Sequence, residues 1–202
     1  MNTENDLPPS LARLLPRALQ DAANPFALQR GVRLFDQGAV PERMFYVVRG
    51  EVVLERHEEN GARVVLQRVR EGFLAEASLE VAAYHCDALI TESGIAVALP
   101  LRVLRRELAH DPGFALRWIG MLSGEIRRLR MRCERMALKG VEARLLHLID
   151  TEGHEGRLLL TSTLKSLAGD LGVTHEALYR ELARLERAGK LARSAGELVA
   201  LR

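Results

Sequence analysis

From Ala115 to Met136 the chain carries an unbroken series of apolar or small residues: Ala115, Ile119, Leu122, Ile126, Leu129, Cys133 and Met136. Their spacings alternate between four and three. This is the heptad rhythm of a helix that packs along one narrow seam. At about 1.5 Å per residue such a helix is roughly 35–40 Å long. Asp111 and Pro112 predict its start, with Asp as N-cap and Pro in the first helical position. Two packings satisfy the seam: against the chain's own domain, or against a second copy of the chain. The outer faces hold Arg127, Arg128, Arg130, Arg132 and Arg135. A narrow apolar stripe with charged flanks favours pairing in a parallel homodimer.

The sequence on either side of this helix differs in style. Residues 26–104 alternate short β-rich runs, such as Met44 to Val48, Val52 to Leu54 and Val64 to Leu66, with Gly38, Gly50, Gly61, Gly72 and Gly94. Short strands at regular spacing with turn residues between them predict a small antiparallel barrel or sandwich. Asn60-Gly61 predicts a hairpin, because both residues tolerate positive φ. Beyond Gly140, a short amphipathic helix is expected with Val141, Leu145, Leu148 and Ile149 on one face. A turn over Glu152 to Gly156 then leads into a third style of sequence.

That third style carries the chemistry. Leu158 to Leu160 reads as a short strand. Ser162 or Thr163 caps a helix bearing Leu164, Leu167, Ala168 and Leu171. Gly172 supplies a tight turn, and Thr174 caps a second helix that buries Leu178, Leu182 and Leu185. Gly189 ends this helix, and residues 190–201 read as a hairpin turning at Ala195-Gly196. A small residue four positions before a corner Gly lets two helices approach closely, as a helix-turn-helix requires. The second helix then offers His175, Glu176, Tyr179, Arg180 and Ala183 to a major groove. Arg180 can donate to guanine O6 and N7, Glu176 can accept from a cytosine amino group, and His175 can reach a base or a phosphate. Ser162, Lys165, Thr174, Lys190 and Arg193 are placed to hold phosphates. From Arg157 to Arg202 there are eight Lys or Arg against five acids, while the whole chain is only +2. Any basic surface is therefore local.

With these residues laid out, the chain resembles the Crp/Fnr family of bacterial regulators over nearly its whole length. The stretch from Leu167 to Arg180 resembles that family's helix-turn-helix signature, and Glu176 and Arg180 fall on its base-reading Glu and Arg. The family often has Arg where this chain has His175. Gly38, Phe45 to Val48, Gly50 and Gly72 to Leu79 resemble the cyclic-nucleotide-binding β-roll. The resemblance implies an α+β fold: an N-terminal antiparallel β-roll sensor over 1–110, a dimerisation helix over 111–139, and a winged helix-turn-helix over 140–202. It also implies a homodimer reading a pseudo-palindromic site on double-stranded DNA, with RNA polymerase as a further partner.

Members that bind cyclic AMP use a cassette with Gly-Glu near its start and Arg-Ser near its end. In this chain Glu76 stands after Ala75, and His85-Cys86 replaces the Arg-Ser pair. The loop is also about one residue shorter. A His is mostly neutral at pH 7 and substitutes poorly for a permanently charged fork. Cyclic AMP is therefore not expected. A pocket for some effector, if one exists, would involve Glu76, Ala77, Ser78, His85, Cys86, Arg132 and Cys133. One branch of the family senses carbon monoxide through haem near this loop, and His85-Cys86 are ligand types that haem iron accepts. An effector-free, constitutive regulator and a haem- or redox-sensing regulator stay open as alternatives, and the cofactor is left unassigned. The bland reading of Cys86 is a small core residue, and of Cys133 a seam filler.

Other classes fit less well. Two cysteines are too few for a disulfide scaffold or a self-sufficient zinc site, and the six histidines form no H-x-x-x-H pair, so no metal site is expected. No nucleophile–base constellation suggests an enzyme. A nucleotide-gated module that docks on a protein is the reading from another class. Residues 1–24 show no continuous apolar run like that of a secretory signal, and no segment approaches the about 20 apolar residues of a membrane helix. A cytoplasmic location is expected.

Overall fold

The computed structural model describes residues 7–57, 61–74, 76–160, 163–194 and 196–201. Asn60, Ala75, Ser162 and Ala195 therefore lie outside the described residues. The chain divides into two compact units, Met1–Gly120 and Met121–Arg202.

The first unit opens with two short helices, α1 (Pro9–Leu14) and α2 (Arg17–Ala22). Six strands follow: β1 (Asn24–Leu28), β2 (Arg33–Phe35), β3 (Arg43–His57), β4 (Arg63–Val69), β5 (Gly72–Leu74) and β6 (Asp87–Pro100). They form one antiparallel sheet in the order β1-β6-β3-β4, with β2 on β6 and β5 on β3. The hairpin expected around Gly61 is the β3–β4 pair, in register to His57 and Arg63. Gly50 and Gly94 do not break strands as the sequence suggests. They lie within β3 and β6, where the register shifts repeatedly between Val47 and Val52. A Cβ at Gly94 would stand 2.0 Å from the Arg49 carbonyl oxygen, and one at Gly50 would stand 2.8 Å from that of Glu92. The two long strands bend past each other here, and only Gly allows the approach. The bend lets one sheet curl round a core of Phe35, Phe45, Val47, Val52, Leu54, Leu74, Tyr84, Cys86 and Ala88.

Two features of this unit go beyond the sequence reading. The helix α3 (Leu101–His110) follows β6 directly and buries Leu101 and Leu104. Its apolar stripe is short, and it reads as a continuation of the β-rich segment. The other is the packing of α4 (Pro112–Ala137), which starts where expected. The Asp111 carboxylate accepts from the Phe114 amide at 2.9 Å. In its first turns Phe114 and Trp118, neither of them seam residues, are buried, with Trp118 edge-on to Phe73 at 5.1 Å.

The second unit holds the rest of α4, then α5 (Val141–Glu152), β7 (Arg157–Leu159), α6 (Leu164–Asp170), α7 (His175–Arg187), β8 (Leu191–Ser194) and β9 (Glu197–Ala200). The strands form a small sheet, β7-β9-β8. Leu145, Leu148, Ile149, Leu167, Ala168, Leu171, Leu178, Leu182, Leu185, Leu191 and Leu198 make its core. Arg135 departs from expectation. The sequence places it on an outer, solvated face of α4, whereas it is 3% exposed and ion-paired with Glu152 of α5. The chain turns at Gly140, with φ +89°, and brings Glu152 of α5 to Arg135. Among the seam residues, Ile119, Ile126, Leu129 and Cys133 are exposed, and Ala115, Leu122 and Met136 are half-buried.

Candidate nucleic-acid interface and sensor pocket

The helix pair α6–α7 is shaped by local chemistry at each end. The Thr163 hydroxyl accepts from the Ser166 amide at 3.2 Å and caps α6. The small Ala168 is buried, and its carbonyl accepts from the Val173 amide at 3.0 Å across the turn. Gly172 takes φ +65°, a conformation that L side chains resist. The Thr174 hydroxyl then caps α7 by accepting from the Ala177 amide at 3.2 Å. At the far end Gly189 has φ +66°, and the Lys190 amide donates back to the Leu185 carbonyl at 3.0 Å. This closes α7 with a Schellman turn.

One face of α7 buries Leu178, Leu182 and Leu185, and the opposite face is solvated. Glu176, Tyr179, Arg180 and Ala183 lie away from these leucines, and His175 is edge-on to Tyr179 at 4.3 Å. The Glu176 carboxylate accepts from its own backbone amide and from the Thr174 hydroxyl, which hold it below the usual carboxylate range. It stays ionised and able to accept from a donor. Arg180 makes no ion pair among the described residues. Lys165 is on α6. The other cations named from sequence are engaged within the fold: Lys190 Nζ lies 2.9 Å from Glu142, and Arg193 Nε lies 3.2 Å from Glu186. Glu142 also accepts from Arg184 at 2.5 Å. Lys190 and Arg184 together hold the Glu142 carboxyl low. Sequence reasoning missed this acid, because it lies 42 and 48 positions from its two cations.

The residues expected around an effector behave differently. Glu76, Ala77 and Ser78 form a single 3-10 turn, in which Glu76 is half-buried, Ala77 exposed and Ser78 buried. His85 is exposed, whereas Cys86 is only 2% exposed and packs in the core of the roll. Burial pushes the Cys86 thiol up, and the neighbouring Asp87 carboxylate adds to the shift. Tyr84 stacks on Phe35 with ring centroids 3.8 Å apart, and its hydroxyl donates to the Arg43 carbonyl at 2.9 Å. Asp87 accepts from the Gln37 amide at 2.7 Å and lies 3.7 Å from Arg33. Residues 76–87 contain no Lys or Arg. In the second unit Arg132 is half-buried and Cys133 exposed. Among the described residues no group of three or more His, Cys, Asp or Glu is arranged to hold a metal ion, and no helix is long and apolar enough to cross a membrane.

Sequence reasoning also missed a cavity of about 620 Å³ in the first unit, lined by Phe26, Leu34, Phe35, Phe45, Arg43 and Tyr84 among others. None of the effector residues named from sequence lines it. No pattern in the sequence marks it, because its walls come from separate segments of the chain.

Residues 25–111 match the model of the cyclic nucleotide-binding domain family. No curated protein matches the chain. Among solved structures, FixK2 from Bradyrhizobium japonicum superposes with a TM-score of 0.68 at 18% identity, over 89% of this chain and 93% of that one. The c-di-GMP-responsive global regulator CLP of Xanthomonas campestris gives 0.62 at 19% identity, over 90% and 95%. A transcriptional regulator of the CRP/FNR family from Thermus thermophilus gives 0.56 at 23% identity, over 89% and 94%. Residues 25–111 thus match a cyclic nucleotide-binding domain, and the chain shares the fold of these solved regulators, β-roll and C-terminal helix-turn-helix included.

Proposed function

We propose that the protein is a sequence-specific, non-enzymatic DNA-binding transcription regulator that acts as a homodimer on a pseudo-palindromic site. The observation that carries this reading is α7. Thr174 caps it, three leucines anchor it, and Glu176 and Arg180 stand on the side away from those leucines. That is the presentation a major-groove reader needs. Arg180 reads guanine, Glu176 accepts from cytosine, and His175 and Tyr179 contact the flanking base or sugar. Ser162, Lys165, Thr174, Lys190 and Arg193 hold phosphates, with Lys190 and Arg193 exchanging carboxylate partners for phosphate on binding. The exposed Ile119, Ile126 and Leu129 of α4 are covered by the same helix of a second copy. Functionally the chain divides into a sensor roll over 1–110, a dimer helix over 111–139 and a reading head over 140–202. RNA polymerase is the downstream partner and the cytoplasm the place of action.

The roll does not depend on cyclic AMP in this reading. A cyclic phosphate needs a fixed cation, and residues 76–87 supply none, while Asp87 would repel it. The core position of Cys86 favours an effector-free roll over one that binds haem or senses redox state through His85-Cys86. The test is selection from a random DNA pool with the full-length protein. Recovery of an inverted repeat supports the reading, and recovery of no enriched sequence refutes it. Adding cyclic AMP should leave the affinity unchanged.

A further inference from the structure

The seam and the reading head are joined by a side chain that the function above does not use. Arg144, on the first turn of α5, donates to three carbonyls on two other parts of the chain. Its Nε reaches Leu138 at 3.0 Å and one terminal nitrogen reaches Met136 at 3.2 Å, both at the end of α4. The other terminal nitrogen reaches Leu171 at 3.0 Å, the C-cap of α6. These carbonyls are the ones a helix end leaves without intrahelical donors. The turn itself sits against the same place: a Cβ added at Gly172 would stand 3.1 Å from Met136 Sδ and 3.4 Å from Arg144. Met136 is the last residue of the heptad seam. The ion pair of the buried Arg135 with the exposed Glu152 ties α5 to α4 a second time. Gly140, with φ +89°, is where a flexible joint between dimer helix and reading head would be expected, and these contacts bridge it.

We infer that Arg144 is a positioning residue that locks the helix-turn-helix turn to the end of the dimer seam, and so sets the half-site spacing the protein accepts. The inference rests on the DNA-reading homodimer proposed above. One inserted base pair turns a half-site by about 35° and moves it about 3.4 Å. A slack joint at Gly140 would absorb that change, whereas a joint clamped by a planar fork with three bonds would not.

The experiment uses the full-length protein and fluorescence anisotropy on four duplexes: the selected inverted repeat, the same repeat with one base pair added, with one removed, and a single half-site. Arg144→Ala should bind the single half-site within about twofold of the parent. It should lose roughly tenfold on the correctly spaced site, and its preference over the altered spacings should flatten. Arg144→Lys, a point charge that cannot reach three carbonyls at once, should flatten the profile partly. An unchanged spacing profile in a folded Arg144→Ala protein overturns the inference. So does an equal loss on half-site and full site, since Arg144 would then merely hold the head together. If Arg144→Ala does not fold, Met136→Ala, which frees the turn from the seam, must flatten the profile or the inference falls. A parent protein that selects no paired half-sites overturns the functional reading, and this inference with it.

Discussion

At the entry to β6, Tyr84, Cys86 and Asp87 turn inward and find partners in the fold, whereas on α7 Glu176, Tyr179 and Arg180 face away from the core. Both stretches hold residues that the sequence marks as candidates for a ligand site. In the first, the ring of Tyr84 is stacked on Phe35, the thiol of Cys86 is packed in the core of the roll, and the carboxylate of Asp87 accepts an amide hydrogen. In the second, the leucines on the back of the helix carry the stability and leave the front free. A polar group already satisfied inside a fold has little left to offer a ligand, because releasing it costs a buried hydrogen bond. The contrast therefore separates a stretch whose polar groups are used within the fold from one whose polar groups face solvent.

The largest effect expected from breaking this contrast lies in the first of these stretches. Tyr84→Ala removes a stacked ring and the hydrogen bond to Arg43, and should lower stability by about 3–5 kcal/mol in chemical denaturation. A loss below about 1 kcal/mol would mean that the strand entry is not core at all. Arg180→Ala should do the reverse. Stability should stay within about 0.5 kcal/mol, while binding to the selected site weakens by about 1–3 kcal/mol and the base preference opposite it relaxes. An unchanged operator preference would remove Arg180 from the reading role.

Smaller effects sharpen the boundary between the two regions. Thr174→Ala removes the cap of α7 and should lower the stability of the second unit by about 1 kcal/mol, with a matching loss of helical signal on heating. A thiol-specific reagent should reach Cys86 only after denaturant is added. Burial keeps this thiol from the reagent, and its raised pKa keeps the thiolate scarce. Modification of Cys86 in the folded protein would contradict its core placement.

Much of the second unit is legible in the order of its residues because its signals are local. Thr163, Gly172, Thr174 and Gly189 act within three or four residues of themselves, through caps and positive φ, and each occurs where the pattern places it. The seam of α4 is legible for the same reason, since its period belongs to one helix. The strands of the roll are legible as strands but not in their lengths. Gly50 and Gly94 read as breaks when each is considered alone, and their role as a paired bend depends on β3 and β6 crossing there. Arg135 reads as a solvated charge, and only the folded chain buries it beside Glu152, just as only the fold gives Arg144 its three carbonyls.

Linear order suffices for the succession of β-rich, heptad and helix-turn-helix stretches, for the caps and turns of the helix pair, and for the solvated face of α7. These follow from periodicity and from short-range hydrogen bonds, which a linear pattern encodes. The tertiary structure alone decided which polar groups were already in use. Cys86 became a core residue, Lys190 and Arg184 met Glu142, and Arg144 gathered carbonyls from both sides of Gly140. Such partners lie tens of residues apart or on neighbouring elements, and burial, which makes each pairing matter, exists only once the chain has closed on itself.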